Sequence, residues 1–561
     1  MRNFKERLGK ELLFFDGGMG TMLQKRGLTA GGLPELWNIE KPEEILAVQR
    51  SYVEAGADII KTNTFGANAI KLKGDSELLK KLVVAGVKIA REANPDGFVA
   101  LDIGPLGKLL KPMGELSFEE AYDIFAEIVK AGEGTDCDLI LIETMTDVYE
   151  AKAAVLAAKE NSSLPVVATF AFEQNKRLLT GATIETTALI FEGLGVDAIG
   201  FNCGLGPREM KPLVENLLSV TELPVIVNPN AGLPVCVDGK TTFNVGAEEF
   251  AEIQKEIAAL GCAIMGGCCG TTPDHIKAIC DELKGTKIKE REIEKKTVVS
   301  SATKTAVFGK RPLIVGERIN PTGKEALANA IKDGDIDSII DEAFEQSYDS
   351  DIIDVNVAVA GIDEVKTMEK VVFELQSVCS LPLSIDTQDA AVMDRALRLY
   401  NGKALLNSVN GKKESMDAVF PIAKKYGAAV VCMTLDENGI PESSEGRIEI
   451  AKKIIAEAEK YGIKKENLIF DTVVMPDFEG KNTARITLEA IDYIKNTMGY
   501  NTILGISNVS FGLPEREKMN SEFFVKAMER GLSAGITDPT SDAVMDAYRD
   551  YCTAYAIEID F

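Results

Sequence analysis

The chain holds one histidine and one tryptophan in 561 residues, and its 62 Lys and Arg are outnumbered by 87 Asp and Glu. A net charge of −25 argues against nonspecific nucleic-acid binding, which needs clustered Lys and Arg against phosphates. It says nothing against a small anionic substrate in a local pocket. No stretch approaches the roughly 18 apolar residues of a membrane-spanning helix. The opening segment, MRNFKERLGKELLFFDGG, is charged and has only a short apolar run, so it does not read as a signal peptide. Ten cysteines without an export signal point to thiols, a reducing compartment and a cytoplasmic protein. No G-x-G-x-x-G follows the first apolar run, which removes the usual dinucleotide fingerprint. The lone His275 lies in Thr272-Pro273-Asp274-His275, a helix-start sequence, and is set aside as a metal ligand.

What is present belongs to a large α/β chain. A charged stretch at 286–305 reads as a linker between residues 1–285 and 306–561, each close to the ~250 residues of a (β/α)8 barrel. Apolar runs at 12–15, 58–61, 98–101, 139–142, 165–170, 198–201, 224–227 and 262–265 alternate with helical periodicity, as at 42–57 and 117–134. The second half repeats this at 313–316, 352–355, 382–385, 404–406, 428–433, 467–470, 502–506 and, weakly, 533–537. Continuous apolar strands between amphipathic helices predict two tandem (β/α)8 TIM barrels.

Barrel chemistry sits at the C-terminal ends of the strands. In the first half those ends carry Asp16-Gly17-Gly18, Thr62-Asn63-Thr64, Asp102, Glu143, Asn202-Cys203, Asn230 and Gly266-Gly267-Cys268-Cys269. Adjacent cysteines do not suit a hairpin staple, and structural zinc modules space theirs two to four residues apart. Cys203, Cys268 and Cys269, from strands 6 and 8, would instead hold Zn²⁺ with its fourth position open, as catalytic sites do. The plainer alternatives are buried free thiols for the cysteines, a helix cap for Asp16, a carboxylate on backbone amides for Glu143 and a turn residue for Asn230.

DGGMGT, FNCG and GGCCG together resemble the homocysteine-binding barrel shared by cobalamin-dependent methionine synthase and betaine–homocysteine methyltransferase. The resemblance covers residues 1–285 and implies zinc on Cys203, Cys268 and Cys269, with the homocysteine sulfur at the open position. It further implies Asp16 and Glu143 on the substrate amino group, backbone amides around Gly17, Gly18 and Thr64 on its carboxylate, and Asn230 as a zinc ligand when substrate is absent.

In the second half GERIN, DVN, SIDT, NSVN, FDT and SNVSFGLPER resemble the pterin-binding barrel of methyltetrahydrofolate methyltransferases and dihydropteroate synthase. The resemblance implies Asp386, Asn407 and Asp471 on the amide and amino edge of the pterin. It sets Asn508 at N5, Arg516 nearby, and Glu317, Asn320 and Asn356 around the same mouth. Asp386 and Asn508 are the expected catalytic pair.

Together the two halves imply methyl transfer from 5-methyltetrahydrofolate to homocysteine through cobalamin, as methylcobalamin, giving methionine and tetrahydrofolate. Neither half offers a cobalamin module, so a further domain or a separate corrinoid protein is the expected partner. The competing readings are a dihydropteroate-synthase-like or corrinoid-protein methyltransferase joined to another thiol methyltransferase, and a zinc-stabilised interaction scaffold.

Overall fold

The computed structural model describes residues 3–29, 31–237, 240–476 and 482–559, and the side chains of 236–241 also lie outside the description. The chain divides into two compact units, Met1–Ile293 and Glu294–Phe561. Among the described residues no helix is long and apolar enough to cross a membrane.

The first unit is an eight-stranded parallel barrel. Its strands are β1 (Leu13–Phe14), β2 (Ile59–Lys61), β3 (Phe98–Ile103), β4 (Leu139–Met145), β5 (Val166–Phe170), β6 (Ala198–Asn202), β7 (Val225–Asn228) and β8 (Ile264–Met265). They pair in sequence order from β2 to β8, β8 pairs with β1, and a parallel bridge between Phe15 and Ile59 completes the ring. β2, β3, β5, β6 and β7 are buried throughout, which is why they read as apolar runs without alternation. Helices such as Pro42–Glu54 and Phe118–Gly132 cover the outside, close to the spans the periodicity predicts.

A short helix, Phe4–Arg7, precedes the barrel. Its Phe4 ring meets Phe98 edge-on at 5.5 Å and joins Leu13, Leu139 and Ala198 in one core cluster. These are the starts of β3, β1, β4 and β6, so the helix fills the floor of the barrel and leaves the chemistry to the opposite end.

The second unit is a closed barrel of β9 (Leu313–Ile319), β10 (Ile352–Val355), β11 (Leu383–Asp386), β12 (Leu405–Asn410), β13 (Ala429–Met433), β14 (Leu468–Asp471), β15 (Asn501–Gly505) and β16 (Ala534–Thr537). The weakly patterned eighth run is therefore a full strand. An antiparallel hairpin, Val298–Ser300 with Thr305–Val307, precedes it. Its Val299 and Ala306, with Phe308, join the core with Leu313, Ile352, Leu405 and Ala534. Part of the charged stretch between the halves thus serves as a floor for the second barrel, matching the Phe4 helix of the first.

Candidate active sites

Cys203 follows β6, and Cys268 and Cys269 follow β8, on either side of β7. Cys203 adopts a left-handed backbone, φ 57°, and Gly204 continues it at φ 66°. That reversal turns the chain back over the mouth, at a conformational cost an ordinary residue seldom bears. Within the second cysteine segment the packing is tight: a Cβ on Gly267 would stand 2.4 Å from Thr271 Oγ1. The three sulfurs lie within 4.8 Å of one another. Tetrahedral zinc with Zn–S bonds of about 2.3 Å needs sulfurs about 3.8 Å apart, and Cys203 Sγ and Cys269 Sγ stand 3.8 Å apart. Hydrogen bonds from Cys268 and Cys269 push the Cys203 thiol down toward thiolate, while the other two thiols are pushed up. The donor set fits zinc. The other described cysteines are buried and free; the side chain of Cys236 lies outside the described residues.

Below the sulfurs lies a buried ionic cluster. Asp16 caps no helix; its Oδ2 accepts the Lys61 backbone N–H at 2.9 Å. Lys61 Nζ stands 3.4 Å from Glu143 Oε2 and 3.7 Å from Asp16 Oδ1. Burial raises Asp16 to about 7 against the pull of Lys61, and raises Glu143 and Asp102 as well. Burial works against the Lys61 ammonium, yet Glu143 and Asp16 outweigh it and hold its pKa above the usual value. Asn202 ties this cluster to the sulfurs: its Nδ2 donates to Glu143 Oε2 at 3.3 Å and lies 3.8 Å from Cys268 Sγ. Its Oδ1 accepts from the N–H of Thr144, another left-handed residue at φ 62°.

The remaining expected residues sit around this cluster. The Gly18 N–H is taken up by Thr271 Oγ1 at 3.2 Å, and a Cβ on Gly17 would press into Tyr52 at 2.8 Å. Thr64 Oγ1 donates to the Asp102 carbonyl at 2.7 Å. Asn230 Oδ1 accepts the Cys269 N–H at 3.1 Å, which positions the cysteine backbone. His275 closes a capping box with Thr272 and places Nε2 3.0 Å from the Val245 carbonyl. It is a cap, as its sequence context suggests.

The mouth of the second barrel gathers carboxylates and amides. Asn356 Nδ2 donates to Asp386 Oδ2 at 2.9 Å, and Asp386 and Asn407 are register partners on β11 and β12. Beside them Asp354 is buried, its Oδ1 without a hydrogen-bond partner, and burial and neighbouring Asp386 push its carboxyl well up. Asp471 Oδ1 accepts the Val473 N–H at 2.6 Å, and burial raises this carboxyl to about 6. Asn508 is exposed on the turn Ile506–Ser510. Arg516 braces that turn, with Nε to Ser510 Oγ at 3.1 Å and Nη2 to the Ser507 carbonyl at 3.2 Å. Ser507 Oγ donates to Glu317, linking the turn to β9. Asn320 turns its Oδ1 to the Thr322 N–H at 3.0 Å and serves its own loop.

The expected set omits Lys61, Asn202, Asp354 and Arg447. The first three end apolar runs or sit beside quoted motifs, so the strand-end rule reaches them. Arg447 lies inside the helix Ser444–Lys460, where nothing in the sequence marks it.

Residues 13–283 match the family model for homocysteine S-methyltransferase, and residues 316–538 match that for pterin binding enzyme. Curated methionine synthases of Mycobacterium tuberculosis and Mycobacterium leprae are each 32% identical, over 94% and 95% of this chain and 47% of each relative. The chain thus spans about half the length of the curated relatives it matches. A solved homocysteine methyltransferase from Escherichia coli aligns with 50% of this chain and 98% of its own, at 25% identity and a TM-score of 0.43. Two barrels with polar mouths, two matching models and relatives aligned across nearly the whole chain lead to one conclusion: this chain joins a domain of the homocysteine S-methyltransferase family to a domain of the pterin binding enzyme family.

Proposed function

We propose that the first barrel binds homocysteine on zinc and the second binds 5-methyltetrahydrofolate, as parts of a cobalamin-dependent methionine synthase. The observation that carries this reading is the three-sulfur cluster linked through Asn202 to a buried carboxylate pair. One arm of an amino-acid thiol would reach the sulfurs and its ammonium the carboxylates.

Cys203, Cys268 and Cys269 would hold the metal, which when bound lowers the pKa of the substrate thiol and presents it as a nucleophile at neutral pH. Asp16 and Glu143 accept the substrate ammonium, and Asn202 keeps Glu143 in register with the sulfurs. In the second barrel Asp386 and Asp471 accept from the amino and amide hydrogens of the pterin, and Asn407 supplies both a donor and an acceptor. Asn508 donates a hydrogen bond toward N5; an amide polarises but gives up no net proton. Cobalamin, brought by a further domain or a separate corrinoid protein, is the partner this reading requires.

Two substitutions test the assignment. Cys203→Ser removes a metal ligand and should weaken zinc and homocysteine binding by about 100-fold or more while folate binding stays intact. Asp386→Asn should weaken methyltetrahydrofolate binding by roughly 10- to 100-fold and leave the thiol site untouched. Calorimetric titration of both ligands into both variants decides it. Loss of both ligands from either variant contradicts the two-site reading, and preference for a pterin pyrophosphate over the methylfolate contradicts the donor.

A further inference from the structure

We propose that Lys61 is a tethered stand-in for the substrate's α-ammonium: its Nζ holds the place between Asp16 and Glu143, and the incoming amino-acid thiol displaces it. The inference rests on the assignment of homocysteine to the first barrel. A lysine ammonium and an α-ammonium are the same group chemically, each with three N–H donors and one positive charge. A group that bridges Asp16 Oδ1 and Glu143 Oε2 competes with Lys61 Nζ for the space between them.

The contacts fit an occupant that leaves. Charge-assisted N–H···O bonds close to about 2.7–2.9 Å. Lys61 Nζ stays at 3.4 Å from Glu143 and 3.7 Å from Asp16. Asp16 Oδ1 is buried without a hydrogen-bond partner, as is Asp102 Oδ1. A purely structural ion pair at this depth would satisfy those oxygens, because an unmet buried acceptor is costly. Here the fixed point of Lys61 is its backbone: its N–H bonds to Asp16 Oδ2 at 2.9 Å and its carbonyl accepts from Gln49 Nε2 at 2.9 Å. The four-carbon stem above that anchor is the movable part.

The competition falls on one class of ligand. A thiol lacking an amino group has nothing with which to replace the Lys61 charge, so it gains only the sulfur and carboxylate contacts. Lys61 therefore keeps the two carboxylates paired in the empty site and weakens amino-acid thiols relative to simple mercaptans, because only the former must displace it.

The test compares L-homocysteine with 4-mercaptobutanoate, which keeps the thiol and carboxylate and lacks the amino group. Both are titrated calorimetrically into the full zinc-loaded chain as wild type, Lys61→Met and Lys61→Gln. Removing the resident cation should tighten homocysteine roughly tenfold or more and leave 4-mercaptobutanoate within about twofold. A crystal structure of the wild type with homocysteine bound, which needs no variant to fold, should show Nζ withdrawn beyond hydrogen-bond reach of Glu143. Weaker homocysteine binding in the variants, equal shifts for both thiols, or Nζ unmoved beside bound substrate would each overturn the inference while the thiol site stands. If neither thiol binds the wild type, the homocysteine assignment itself falls and this inference falls with it.

Discussion

Asp471 shows how a single side chain would set the pH dependence of the proposed pterin site. Burial raises its carboxyl to about 6, so it is ionised above that value and protonated below it. Only the carboxylate accepts from both an amino and an amide hydrogen, so pterin affinity should fall as pH drops through about 6. The sign for stability is opposite. A carboxyl with a folded pKa above its unfolded one favours the fold when protonated, and that contribution is lost as pH rises from about 4 to about 6. Titrations of methyltetrahydrofolate at pH 5 to 8 should show affinity rising with pH. Asp471→Asn should flatten the profile and lower the plateau. An unchanged slope in that variant would assign the titration to another group.

At the scale of elements, Arg447 joins a helix to the strand end that carries Asp471. Its Nη1 donates to the carbonyls of Thr472 and Val473 and to Thr487 Oγ1, at 2.8, 2.7 and 2.7 Å. Val473 is left-handed at φ 55°, and its N–H orients Asp471. Arg447→Met removes these donors and leaves buried carbonyls unmet, a loss of about 3 kcal/mol or more from the second barrel. Thermal unfolding should show that barrel melting earlier, with folate binding weakened and the thiol site unchanged. The same region shows what a sequence exposes and what it hides. Barrel strands are buried on both faces, so apolar composition reveals them, and the rule that chemistry follows the strand ends reaches Cys203, Cys268, Asp16, Glu143, Asp386 and Asp471. Arg447 comes from a helix and matters only through contacts 25 to 40 residues away. Lys61 sits at the end of an apolar run, but its meaning depends on which carboxylates face it. Contact, rather than pattern, defines both.

For the whole molecule, the three sulfurs lie above a barrel whose floor and walls are complete without them. Phe4, Phe98 and Leu139 close the floor, and ordinary strand pairing closes the ring. Chelation of zinc should therefore abolish homocysteine binding while far-ultraviolet circular dichroism stays native and the main melting transition survives. Unfolding on metal removal would instead mark a structural zinc scaffold. The division at Ile293 and Glu294 adds a second expectation: the two segments, produced separately, should each fold and each bind its own ligand. The filled floors also bear on the order of events. The Phe4 helix packs the floor of the first barrel and the Val298–Val307 hairpin that of the second, so among the described residues the polar strand ends of each barrel lie away from its packed floor. A carrier that docks on those strand ends also covers them. On the proposed reading, the small molecule would have to load before the carrier arrives and its product leave after the carrier withdraws, which makes turnover sequential.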